Sequence, residues 1–276
     1  MISTASAAFR RVLFGALAVL VLLIFLLPVF WMLITAIKPP GEWLNSPPIF
    51  WPSHIDLFNF VEALVRWRGF KGLLDSLIVA SASTLISLLV GISAAYSLGR
   101  FRTGGENLSF AILGVLFMPP VAVAIPMYLF WRTFGLLDSF IALIFQYTVF
   151  NVPFIAWVLK SFFEDIDPAL EESALVNGAT RWQAFSQIAV PLALPAIIAV
   201  ALLSFIFSWN EFFFAVILTR AHVTTLPVIL PTLMESHYVR WGAIAAIATI
   251  AALPVVALAF ALQRYLVRGL SFGTLR

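Results

Sequence analysis

Apolar residues run along this chain in stretches too long and too unbroken for the alternating strand or one-sided helix of a water-soluble domain. Six runs, near 12–36, 73–98, 108–130, 139–163, 193–219 and 242–266, each reach the roughly 20 residues that cross a hydrocarbon core about 30 Å thick. Backbone groups in lipid must find partners within their own segment, so runs of this kind predict helices. The expectation is an all-α membrane protein with six transmembrane helices, one domain over 1–276, and both termini on the same side. The first run follows Arg10 and Arg11 as a signal peptide would, yet it exceeds the usual apolar core of one and meets no convincing cleavage site before Lys38. It reads as a retained anchor.

Polar residues collect in the gaps, and two gaps are long. The first, 38–72, carries Pro39, Pro40, Pro47, Pro48 and Pro52 with Trp43 and Trp51, which predicts irregular chain at the membrane interface. The second, 164–192, predicts two short helices. Asp167 is the N-cap of the first, Pro168 fills its first position, and Glu171 and Glu172 lie in the opening turn where the helix dipole favours acids. Asn177-Gly178 ends it. Thr180-Arg-Trp-Gln183 has the form of a capping box opening the second helix, with Trp182, Phe185 and Ala189 on one apolar stripe.

Composition agrees with the pattern: 62% hydrophobic and 11% charged residues, with a mean hydropathy of +1.04. The net charge of +3 does not argue for nucleic acid, because the basic residues sit between the apolar runs, where inner-membrane topology places them. With the termini inside, the inner side holds nine Lys and Arg and the outer side seven, four of those in the 38–72 loop; this orientation is the better one. There is no cysteine, which excludes disulfides and thiolate chemistry, and His54, His222 and His237 are too scattered for a zinc site.

Polar groups inside apolar runs are costly and face a partner or a water-filled path. Asn151, about 18 Å into the fourth run with Pro153 beside it, marks either a pathway or an interhelical hydrogen bond. Glu211, next to Asn210 and about 27 Å into the fifth run, either reaches interfacial water or has a functional role. Pro119, Pro120 and Pro126 must interrupt the third run, as a gate-shaping kink or a fixed bend. In the 164–192 gap, Glu172 is followed by the small Ser173 and Ala174, a surface a second protein could approach closely. Two amphipathic helices lying on lipid are the alternative. Glu164, Asp165, Asp167, Glu171 and Glu172 against Lys160 and Arg181 weaken it, since anionic lipid would repel the segment.

Glu172-Ser-Ala174, three residues, Gly178, nine residues, Ile188, one residue, Val190-Pro191 resembles the EAA loop of binding-protein-dependent ABC importer permeases. Ser173 and Val190 stand where that pattern has alanine and leucine, and Asn177 replaces a common aspartate. Asp75-Ser76, Ala95-Tyr96-Ser-Leu-Gly-Arg-Phe101, Met118-Pro119, Gly135-Leu136, Trp209-Asn210-Glu211-Phe212 and Gly269-Leu270 extend the likeness over nearly the whole chain, closest to the shorter of the paired permeases of the maltose-transporter class. The resemblance implies a type I importer fold and a cytoplasmic coupling helix. Its ATPase-docking surface would be Glu171, Glu172, Ser173, Ala174, Asn177, Gly178 and Arg181, with Asn151, Pro153, Asn210 and Glu211 as candidates for the translocation path or gate. The tail containing Gly273 would be a further contact, although it lacks the family's usual ending.

The implied partners are a second, homologous permease subunit, two ATPase subunits, an external solute-binding protein and membrane lipid. The chain has no phosphate-cradling glycine loop, so ATP and Mg would belong to the ATPase and this chain would bind no cofactor. The implied role is import of a sugar, polyol, glycoside or glycerol phosphate ester across the bacterial inner membrane, without a catalytic site. A non-sugar solute on the same fold is the alternative. An intramembrane enzyme would need paired catalytic groups at depth, and no histidine or close acid pair lies in a run. A passive channel would have no use for the docking loop.

Overall fold

A computed structural model of the 276-residue chain describes residues 2–235 and 238–271. In chain order the elements are α1 (Ile2–Ile37), α2 (Phe58–Val61), a π-helical turn (Glu62–Arg66), α3 (Gly69–Arg100), α4 (Gly105–Leu116), α5 (Pro120–Thr133), α6 (Phe140–Asp165) and α7 (Pro168–Val176). They continue with α8 (Arg181–Ala184), a second π-helical turn (Phe185–Ala189), α9 (Val190–Trp209), α10 (Phe213–Leu218), α11 (Leu226–Thr232), β1 (Met234–Glu235), β2 (Tyr238–Val239) and α12 (Trp241–Ser271). The two-residue strands pair antiparallel, Met234 opposite Val239; among the described residues this small ladder is the departure from an all-helical fold.

Among the described residues, five helical stretches are long and apolar enough to cross a membrane, and the bent pair α4–α5 brings the number to six if it counts as one crossing. Two of the six expected runs do not fold as single helices. The third breaks between Leu116 and Pro120 with a bend of 86°, because Pro119 takes an extended conformation (φ −61°, ψ 126°) and Pro120 starts α5 afresh. Pro126 is accommodated inside α5. The fifth begins early: helix runs from Arg181 to Trp209, so the second helix of the 164–192 gap is the first turn of a span. The wide π turn at Phe185–Ala189 lies where Pro191 lacks a donor and would crowd the carbonyl four residues before it. That span stops at Asn210, and α10 restarts at Phe213.

The chain folds into two compact units, one from residues within 1–69 and 230–252, the other from residues within 70–229 and 253–276. In the first, the buried Asn59 donates through Nδ2 to the carbonyls of Ala36 (3.0 Å) and Lys38 (2.7 Å), satisfying acceptors that the end of α1 leaves open. Gly242 touches Asn59 so closely that an added Cβ would lie 2.3 Å from its Oδ1. Glu62 is buried and paired with Arg240. The most apolar stretch of α1 has no buried residue in this chain alone.

In the second unit, α3, α6 and α9 surround one core containing Ala95, Tyr96, Ile155, Phe163, Phe185 and Ala193. Glycine sets the spacing between α3 and α6. A Cβ on Gly91 would come within 2.6 Å of Ile155, and one on Gly99 within 2.9 Å of the Lys160 carbonyl, so larger residues would hold the helices apart. A second core gathers α5, the start of α6 and α10 through Trp131, Leu143, Tyr147, Phe214 and Leu218.

Candidate functional site

The residues singled out in the sequence fall into two groups, both in the second unit. The first is α7 and its surroundings. Asp167 accepts the Ala169 amide at 2.9 Å and Pro168 takes the first helical position, as the residue pattern predicts. At the other end Gly178 has φ +90°. Its amide donates to Leu175 O (3.1 Å) and the Ala179 amide to Ala174 O (3.0 Å), the paired bonds that close a helix through a left-handed residue. Asn177 adds a side-chain bond to Ser173 O at 2.8 Å. The capping box forms in full: Thr180 Oγ1 accepts the Gln183 amide (3.2 Å) and Gln183 Oε1 accepts the Thr180 amide (2.7 Å). Of the expected stripe, Phe185 and Ala189 are buried, whereas Trp182 is exposed.

Glu172, Ser173, Asn177, Gly178 and Arg181 are exposed, and Ala174 is half-buried. Glu171 departs from the expected docking surface. It is 6% exposed, and both its oxygens are engaged within the chain: Arg100 Nε (3.0 Å) and Nη2 (2.6 Å) donate to Oε1, and the Tyr96 hydroxyl donates to Oε2. Helical geometry turns successive residues by about 100°, so one acid of the pair faces inward and the next outward. The same guanidinium donates from Nη1 and Nη2 to Ile166 O, each at 3.1 Å. Tyr96 and Arg100 lie within the stretch quoted for the resemblance, but nothing in their local pattern points to an acid 71 residues further on.

The second group lines a cavity of about 150 Å³ formed by Tyr147, Phe150 and Asn151 of α6, Phe207 and Ser208 of α9, and Pro120, Glu211 and Phe214. Asn151 and Glu211, predicted separately, meet here. Asn151 Nδ2 donates to Ser208 Oγ at 2.8 Å, so the residue makes an interhelical hydrogen bond and faces the cavity as well. Ser83 of α3 donates to the same Ser208 oxygen at 3.1 Å. The Glu211 carboxylate caps α10 by accepting the amides of Phe214 (2.9 Å) and Ala215 (3.2 Å). Pro153 is buried within α6. Asn210 is exposed and donates back to Ile206 O at 2.9 Å; it is not part of the lining. Gly273 lies outside the described residues.

Asp138 is a further anchor that the residue pattern did not reveal. Its carboxylate accepts four successive amides, Arg220 to Val223, at 2.8–3.0 Å. Burial pushes its pKa up, but the four donors outweigh that and bring it down to about 2. Asp75 and Ser76 hold the next amides, those of Thr224 and Leu226, each at 2.8 Å.

Several helices apolar enough to cross a membrane, with a short capped helix exposing Glu172 between two of them, describe a multi-pass membrane protein. Residues 87–272 match the family of binding-protein-dependent transport system inner membrane components, and the chain belongs to that family. It is 34% identical over 99% of both chains to a probable ABC transporter permease, y4oR, of Sinorhizobium fredii. It is 31% identical to the trehalose/maltose transport system permease protein MalG of Thermococcus litoralis, over 97% of each chain. The fold matches a subunit of a bacterial ABC transporter that imports the acidic polysaccharide alginate, with a TM-score of 0.76 at 23% identity over 94% of this chain and 97% of that one. The chain is thus a multi-pass permease subunit of the inner membrane with the type I importer fold.

Proposed function

We propose that this permease subunit carries a sugar or related small polar solute, such as a polyol, glycoside or glycerol phosphate ester, into the cell. In this reading it pairs with a second, homologous permease, an external binding protein delivers the solute, and two ATPase subunits bind ATP and Mg. Relatives named for trehalose/maltose, diacetylchitobiose and sulfoquinovosyl glycerol transport support the cargo class. Both termini and the 164–192 loop face the cytoplasm, in line with the distribution of Lys and Arg.

The observation that carries the reading is α7: a nine-residue helix capped at both ends that exposes Glu172 and Ser173 beside the half-buried Ala174. An acid next to small side chains suits close docking into a groove with a basic partner group. Closure of the ATPases around ATP would displace this helix and shift the permease between inward- and outward-open states. For that, the contacts must differ between the two states. Asn151 and Glu211 would border the path the solute takes, with Pro153 shaping α6 beside it. Gly273 in the tail would be an accessory contact.

Glu172→Lys is the test. The subunit should still insert, while binding-protein-stimulated ATP hydrolysis and uptake fall by at least about tenfold, the effect of a like-charge clash worth at least about 1.4 kcal/mol. Undiminished uptake would overturn the docking role. The cargo is read separately, by calorimetric binding of disaccharides, polyols and glycerol phosphate esters to the external binding protein of the same system.

A further inference from the structure

One guanidinium fastens three elements together. Arg100 is the last residue of α3, Ile166 follows the end of α6, and Glu171 belongs to α7. Arg100 donates to the Ile166 carbonyl and to the Glu171 carboxylate at 2.6–3.1 Å, and the ion pair is largely buried. Tyr96, one turn earlier on α3, donates to the second Glu171 oxygen. The Tyr96 ring also lies 5.5 Å from Phe163 of α6 and 4.7 Å from Phe185 in the turn before α9.

The apolar anchoring of α7 is partial: Leu170 is 49% and Val176 88% exposed, while Ala174 and Leu175 are half-buried, so polar, directional bonds share the fastening. Charge-assisted bonds of this kind resist both rotation and translation. A displacement applied to the exposed face of α7 therefore passes into the end of α3 instead of being absorbed by the loop. Along α3, Ser83 lies about 25 Å from Arg100 by helical rise and donates to Ser208 in the cavity wall. A single helix thus links the clamp to the cavity.

We propose that Tyr96, Arg100 and Glu171 form a positioning clamp that makes α7 and α3 move as one body, so that displacement of the docking helix reaches the wall containing Asn151 and Ser208. The clamp rests on the docking reading above and adds to it a specific route.

The chain has no cysteine, so a single Phe207→Cys, on the exposed lining residue, reports on the cavity wall. The complete importer, with cysteine-free partner subunits, is placed in lipid vesicles. Maleimide labelling of Phe207→Cys is timed with and without a non-hydrolysable ATP analogue and Mg. The clamp is then altered in two ways. Arg100→Lys keeps the charge but loses the planar fork. The double change Arg100→Met with Glu171→Met removes both charges at once, the kind of exchange that buried pairs tolerate best.

With the clamp intact, nucleotide should change the labelling rate about tenfold, within the range of conformational coupling between distant sites. Each variant that co-purifies with its ATPase subunits should lose most of that change. A nucleotide response that survives in Arg100→Lys overturns the proposal. So does loss of the ATPase subunits from the purified Arg100→Lys complex, since the residue would then serve assembly. If the double variant does not insert, Arg100→Lys decides alone. If the intact importer shows no nucleotide response, the transport reading itself fails and the clamp falls with it, a result distinct from failure of the clamp alone.

Discussion

Glu171 and Glu172 are identical in the text of the chain and opposite in the fold. Which of two adjacent acids turns inward depends on where Arg100 and Tyr96 arrive, and local pattern carries no trace of contacts 71 and 75 residues away. The caps of α7 and α8 were legible because their donors and acceptors lie within a few residues of each other, as in Asp167 with Ala169 and Thr180 with Gln183. Asp138 shows the same division. Its four amides lie 82 to 85 residues on, so nothing nearby marks it. With its pKa brought down to about 2 from an unfolded value near 3.9, Asp138 contributes stability that is present above about pH 4. That stability is lost as pH falls through about 2. Asp138→Asn should lower the thermal unfolding midpoint of the detergent-purified subunit at neutral pH. The gap between the two proteins should close as the pH is taken from about 4 towards 2. A gap that stays constant across that range would mean the carboxylate charge does not hold the 220–223 turn.

At the level of elements, the positions of apolar helices could be read from run length, but their continuity could not. Pro119-Pro120 and Pro191 look alike as helix breakers, yet the first pair produces an 86° bend and the second is taken up by a π turn within a helix running from Arg181 to Trp209. The difference lies in the backbone around each ring. Pro119 is extended and starts a new N-terminus, whereas Pro191 sits two residues after a turn wide enough to accept its ring. Glycines inside α3 were equally silent, since their use depends on α6. Gly91→Leu would drive its Cβ to 2.6 Å from Ile155, a fully buried side chain. Overpacking of this sort costs about 1–3 kcal/mol, seen as a lower thermal midpoint. Gly91→Leu should cost less in an Ile155→Gly background, which lacks both the Cγ2 and the Cβ that lie within 3 Å of the added Cβ, than in the native chain; an equal cost in the two backgrounds would place it somewhere other than the α3–α6 contact.

For the whole molecule, the deciding quantity is the number of crossings, and it turns on the bent pair. Between Asn45 and Val176 the chain passes through α3, the α4–α5 pair and α6. If the pair crosses once, three crossings separate the two residues and they lie on opposite sides of the membrane. If the pair enters and leaves on one side, only two crossings remain and both residues share a side. α4 with 12 residues and α5 with 14 rise about 18 and 21 Å, each too short to span about 30 Å alone. Bent by 86°, the two helices reach about 28 Å end to end, about one hydrocarbon thickness once the three residues between them are added, and the even number of apolar runs agrees with six crossings. Both residues are exposed, Val176 at 88%, and the chain supplies no cysteine of its own. In intact cells a membrane-impermeant maleimide should therefore label Asn45→Cys directly and Val176→Cys only after permeabilisation. Labelling of both from outside, or of neither, would make the α4–α5 pair re-entrant. Labelling of Val176→Cys alone would invert the orientation and place α7 beyond the reach of a cytoplasmic ATPase.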